Sequence, residues 1–184
     1  MKIAQRIRRQ KGFTLIETLM SMAILVFGIL SLSSFFTSGL QSSAINQVEF
    51  IAQQKAQESL ESIFTARDTH TLSWASINNV SQGGVFLDGK QPMLAPGPDG
   101  IVGTADDDSA NPDNIVIGPG SDKILGTADD QIINLNPWMT RTIAITPVSG
   151  ATNQNLKQII VTVTYTYQGR SSSFTLTTYI SSYA

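Results

Sequence analysis

The sequence predicts an α+β fold: a long N-terminal helix laid on a C-terminal antiparallel sheet. Three observations predict it. The stretch from Phe13 to Phe36 is apolar and contains one ionisable side chain, Glu17. Beyond it, Ile45, Val48, Ala52, Ala56, Leu60 and Ile63 recur at spacings of three and four, the signature of one helical face. Near the C-terminus, Val161, Val163, Tyr165 and Tyr167 alternate with Thr162, Thr164 and Thr166, the period of a strand with one buried face.

Taken in chain order, residues 1–12 form a basic leader with Lys2, Arg6, Arg8, Arg9 and Lys11 and no acidic residue. Residues 13–36 follow as a helix of about 36 Å at ~1.5 Å per residue, enough to cross a bilayer core of ~30 Å. The positive-inside rule keeps the leader in the cytoplasm, so the expected topology is a single membrane pass, N-in and C-out. A secretory signal would be cut after its apolar core, beside small residues. Here the apolar run is longer than such a core, and the helical pattern continues through residues 37–66 as an amphipathic second half. Gly28, inside the apolar half, weakens the helix by about 1 kcal/mol relative to alanine.

Glu17 is the residue that a plain anchor would lack. A carboxylate near the middle of a membrane helix costs about 2.5 to 3.5 kcal/mol, less near an end, and calls for a partner. A cut between Gly12 and Phe13 supplies one, because Phe13 then carries an α-amino group with a reference pKa near ~8. Paired in a helical bundle, the amine of one subunit and Glu17 of another neutralise each other; mispaired, both stay buried and charged. The pair therefore sets register more than it adds stability. The competing reading is an uncleaved anchor whose glutamate snorkels to the interface.

Residues 67–184 are expected to form one β-rich head, about the size of a single small domain. Turn signals stand at Asn78-Asn79 and Gly83-Gly84, with a short strand candidate at Val85 to Leu87. Thr140 to Thr146 reads as a strand with Ile143 and Ile145 on one side, closed by Pro147 and a Ser149-Gly150 turn. The C-terminal hairpin turns at Gln168-Gly169-Arg170, after which Phe174, Leu176, Thr178 and Ile180 alternate again.

The middle of the head holds a duplication. Gly97-Pro98-Asp99-Gly100-Ile101-Val102-Gly103-Thr104-Ala105-Asp106-Asp107 recurs 23 residues later as Gly120-Ser121-Asp122-Lys123-Ile124-Leu125-Gly126-Thr127-Ala128-Asp129-Asp130, identical at eight of eleven positions. Short carboxylates among glycines suit a hard cation that takes six to eight oxygens. Asp99, Asp106 and Asp107 in one copy, and Asp122, Asp129 and Asp130 in the other, are the candidate Ca²⁺ ligands, with Asp108 and Asp113 available to complete the set. The spacing is neither that of an EF-hand nor that of the nonapeptide calcium repeat. The other reading of residues 95–130 is a solvated acidic loop that uses Asp and Gly because turns favour them.

Charge and composition narrow the partners. Loss of the leader leaves seven Lys and Arg against fourteen Asp and Glu, a net of about −7, which argues against a head that binds nucleic acid. There is no cysteine, so no disulfide ties the loops. Catalysis finds little footing: His70 is the single histidine, no nucleophile-elbow motif accompanies it, and neither a phosphate loop nor zinc spacing is present. Trp74 and Trp138 read as core residues before they read as ligand contacts.

The run Lys11-Gly12-Phe13-Thr14-Leu15-Ile16-Glu17 resembles the class III signal of type IV prepilins and type II secretion pseudopilins. Glu17-Thr18-Leu19 through Phe27-Gly28-Ile29-Leu30, Ala52-Gln53-Gln54-Lys55-Ala56-Gln57-Glu58 and the hairpin beginning Val161-Thr162-Val163-Thr164-Tyr165 are most similar to PilV-type minor pilins. The resemblance implies the pilin fold and cleavage between Gly12 and Phe13 by a prepilin peptidase. It further implies N-methylation of Phe13, and movement of the helix from the inner membrane into a filament of major and minor pilins at the cell surface or in the periplasm. In such filaments minor subunits act in assembly, at the tip, or in adhesion, motility or DNA uptake. The same signal also fits a minor pseudopilin of a type II secretion system. A reading from another class is a membrane-tethered, calcium-dependent adhesin.

Overall fold

A computed structural model of the chain describes residues 12–148 and 155–183; the basic leader up to Lys11 and the Ser149-Gly150 turn lie outside them. Helix α1 spans Leu15–Asp68 without a break. Its first turn is set by Thr14, whose side-chain oxygen accepts from the Glu17 N–H at 3.3 Å. This is the N-cap half of a T-x-x-E capping box. The chain divides into two compact units, Met1–Ala44 and Ile45–Ala184.

In the first unit the apolar helix is unburied along its most hydrophobic window. Phe13 is 81% exposed, and Leu25, Phe27, Leu32 and Phe35 are likewise bare. Its few hydroxyls fold back onto the helix: Thr18 donates to Leu15 O, Ser21 to Glu17 O, Ser31 to Phe27 O and Ser38 to Ser34 O, all at 2.8 to 3.0 Å. Polar groups satisfied within one segment are what a hydrocarbon surrounding requires.

In the second unit the helix packs on an antiparallel sheet of order β1-β6-β7-β8, built from Gln91–Pro92, Met139–Pro147, Leu156–Tyr167 and Arg170–Ser181. Small side chains at Ala52, Ala56 and Ser59, fully buried, admit the sheet closely. Val48, Leu60 and Ile63 fill the space between them and Ile143, Ile145, Ile159, Val161 and Val163. Ile45, at the start of the stripe, remains 40% exposed. The Tyr167-to-Arg170 turn places Gln168 and Gly169 at φ 50° and 77°, the two-residue geometry that matches strand twist. The sheet thus follows the expected alternation, whereas the candidate strand at Val85 to Leu87 reduces to a single bridge from Phe86 to Asn79. Asn79 explains this. Its side chain accepts from Ile145 N at 2.7 Å and donates to Ile143 O at 2.8 Å, pairing this segment to the sheet through a side chain rather than through a backbone ladder.

The acidic middle is not one long loop. Leu94–Ala95 (β2) pairs with Asp108–Pro112 (β3), and Asn114–Gly118 (β4) pairs with Gln131–Asn134 (β5). The duplicated sequence is therefore the loop of two consecutive β-hairpins.

Candidate functional site

The first candidate site is the N-terminal end of α1. Gly12 has neither a positive φ nor any neighbour that a Cβ would meet, so the fold places no demand for glycine there. Phe13 is exposed beside it. Glu17 lies in the first helical turn, where unpaired N–H groups make the helix end positive, and it is exposed. From Phe13 to Val48 it is the single ionisable side chain. One carboxylate thus sits one turn inside an apolar rod, next to a residue whose identity the fold itself does not explain.

The second candidate is the pair of Asp/Gly loops, and their hydrogen bonds repeat. Asp99 Oδ1 accepts from Ile101 N at 2.8 Å, and Asp122 Oδ1 accepts from Ile124 N at 2.8 Å. Asp107 Oδ2 accepts from Gly103 N at 2.8 Å, and Asp130 Oδ2 accepts from Gly126 N at 2.6 Å. The hydroxyls of Thr104 and Thr127 donate to Asp106 and Asp129 at 2.6 and 2.8 Å. Both Gly103 and Gly126 adopt a left-handed backbone, φ 84° and 89°. A Cβ on Gly97 or Gly120 would collide with the carbonyl oxygen of Asp106 or Asp129.

The six candidate calcium ligands are thus engaged with donors of their own loops, and among the described residues no three acidic or histidine side chains converge as a metal site. Asp108 caps Ala110 N at 2.9 Å and Asn111 at 2.6 Å, while Asp113 is drawn inward to a lysine. The geometry gives the calcium expectation no support. It gives the carboxylates a different use, satisfying the backbone of tight turns.

Sequence reading missed the cations. Lys55, on the buried face of α1, donates to Asp113 and Glu58 at 2.7 Å each. Burial works to lower its ammonium, but the hydrogen bonds and charges of Asp113 and Glu58 outweigh it, and it titrates above its usual range. Burial pushes the Asp113 carboxyl up, against the pull of Lys55. Arg141, on β6 and 1% exposed, donates to Ser59 Oγ at 3.3 Å and stands 3.8 Å from Asp107. Burial likewise raises Asp107, opposed by the Gly103 N–H and by Arg141. Lys157 donates to Trp74 O and Ile77 O at 2.7 and 2.9 Å and lies over the Trp74 ring; burial lowers its pKa. Lys55 and Arg141 were legible only as strand or helix positions where a charge interrupts an apolar face. His70 follows the helix with φ 59° and donates its backbone N–H to Arg67 O at 3.0 Å, an ordinary helix-end residue.

Residues 7–33 match the family model of the prokaryotic N-terminal methylation motif. No curated protein and no solved structure matches the chain. The motif, together with the long apolar helix, supports a type IV pilin-like or pseudopilin-like structural subunit.

Proposed function

We propose that the chain is a PilV-like minor pilin of a type IV pilus, a non-enzymatic subunit that contributes to assembly or tip function. The observation that carries the reading is a bare apolar helix whose one charge, Glu17, lies five residues after a glycine that the fold does not need. In this reading a prepilin peptidase cuts between Gly12 and Phe13, and Phe13 is N-methylated. The helix waits in the inner membrane, N-in and C-out, and then slides into the filament core. There the Phe13 amine of one subunit and Glu17 of another compensate each other.

The mass and N-terminal sequence of the protein from its native host test this. A chain that begins at N-methylated Phe13 supports it, and one that retains Met1 refutes it. Glu17→Ala is expected to be cleaved normally yet depleted in sheared filaments relative to the parent chain. Equal recovery of both would remove the pairing role while leaving the processing intact.

A further inference from the structure

The two loops adopt one conformation and meet opposite surroundings. In the first, Ile101 and Val102 are 2% and 1% exposed. Gly103 O accepts from Leu87 N at 2.8 Å, and Gly103 sits against Ile143 of the sheet. In the second, the equivalent Ile124 and Leu125 are 60% and 65% exposed, and among the described residues the hydrogen bonds of residues 120–130 join only that loop to itself. The hairpin that carries it also exposes the cross-strand pair Val116 and Ile132, whereas the alternate pair Ile115 and Ile133 packs on the core.

An apolar dipeptide held rigidly by a glycine turn and carboxylate caps, but left in water, has the form of a plug without its socket. The first copy displays what the socket contains: aliphatic side chains and a backbone N–H, that of Leu87. Around the exposed plug stand Asp122, Asp129 and Asp130 against Lys123, and the head, residues 67–184, carries six basic and ten acidic residues. A second copy of this chain would bring the same sign of charge to the contact, and like charges facing each other oppose association.

We infer that the β4–β5 hairpin is a docking arm whose Ile124-Leu125 tip inserts into an apolar depression, rimmed by lysine or arginine, on a different protein. The inference stands on the head alone and does not depend on how the N-terminal helix is processed or assembled.

The test places a photoreactive apolar amino acid at position 125 of the full-length chain in its native host and maps the crosslinked residues by mass spectrometry. The expected result is attachment to one protein, at apolar residues flanked by Lys or Arg. Adding Ile124→Asp to the probe-bearing chain should reduce the yield by about tenfold, the scale of loss when a central interface side chain is disrupted. Raised salt in the medium should reduce it as well, because the rim attraction is screened. Ile124 is exposed, so an unchanged thermal melt separates this loss from misfolding. Attachment to a second copy of the same chain, to lipid, or at similar low yield to many proteins would overturn the inference, as would a crosslink indifferent to Ile124→Asp.

Discussion

The two Asp/Gly loops of the head share eight of eleven residues and the same donor-acceptor plan, yet Ile101 and Val102 belong to the core while Ile124 and Leu125 meet solvent. The difference separates two levels of cause. Local chemistry, namely an Asx-type cap, a left-handed glycine and a threonine-to-aspartate bond, fixes the shape of each loop. Position relative to the sheet decides what that shape is worth. The first loop lies against β6, where Arg141 and Ile143 meet it; the second hangs from a hairpin whose other face is bare. A sequence repeat is evidence for a repeated conformation and carries no information about repeated burial.

The largest effect is expected where both hairpins are tied down together. Asp113 sits between β3 and β4. Its N–H donates to Met93 O at 2.9 Å, its C=O accepts from Leu135 N at 3.1 Å, and its carboxylate holds Lys55 on α1. Asp113→Ala leaves a largely buried ammonium with only the half-exposed Glu58 as partner. A loss of roughly 3 to 5 kcal/mol is the usual scale for breaking a buried pair. Chemical denaturation would measure it; a loss below about 1 kcal/mol would show that backbone pairing alone holds the junction.

Next in size, Ile101→Ala is expected to cost about 2 to 5 kcal/mol through lost burial and a residual cavity, and Ile124→Ala to stay within about 0.5 kcal/mol. Both values come from the same denaturation experiment on the full chain. Similar losses for the two substitutions would erase the distinction between a buried and an exposed loop.

That distinction also marks what was legible in the sequence. Period two gave β6, β7 and β8, because a sheet with one buried face leaves a mark on every second residue. Spacings of three and four gave the buried stripe of α1 from Val48 to Ile63. The two-residue β2 and the short β3 to β5 escaped notice, since segments such as Asp108–Pro112 pair through backbone atoms and have little alternation to show. Lys55 and Arg141 were hidden for another reason: their partners, Asp113, Ser59 and Asp107, lie on other elements, and single-sequence patterns report local periodicity rather than tertiary pairing. The methylation motif at residues 7–33 was readable because its pattern is linear, a glycine and a carboxylate at fixed spacing ahead of an apolar run. For the loop carboxylates the sequence leaves two readings open, Ca²⁺ ligands or turn residues, since composition cannot tell an aspartate that caps its own loop from one that waits for a cation.

Acid should divide the two loops by sign. The side chain of Asp107 is 6% exposed and titrates above the ordinary 3.8, so its folded form takes a proton before the unfolded chain does. Its contribution to stability therefore rises as pH falls through its folded pKa toward 3.8. Asp129 is fully exposed, and hydrogen bonds from Ser121, Thr127 and Asp122 hold it down to about 2. Its contribution is present above 3.8 and is lost as pH falls through about 2. Carboxyl-carbon NMR titration should give a midpoint above 3.8 for Asp107 and near 2 for Asp129. Equal midpoints would mean that neither the burial of Asp107 nor the hydrogen bonds to Asp129 move these carboxyls.

The smallest effect tests the shared backbone plan. Where the first loop has Gly100 at φ 72°, the second has Lys123 at φ 59°, a left-handed conformation that costs an L residue with a Cβ roughly 1 kcal/mol and costs glycine nothing comparable. Lys123 makes no side-chain hydrogen bond or ion pair among the described residues to offset that cost. Lys123→Gly is thus expected to relieve the strain, opposed by the larger entropy of glycine in the unfolded chain, and to leave global stability within about 0.5 kcal/mol. The gain should be local. Amide exchange at Gly126, whose N–H bonds Asp130, should slow relative to the parent chain, because the closed loop no longer competes against a strained residue. The mirror change, Gly100→Lys, imposes the same strain on a loop that the core holds shut, so it should lower global stability by about 1 kcal/mol without speeding local opening. If both substitutions altered only local exchange, the first loop would be no better anchored than the second.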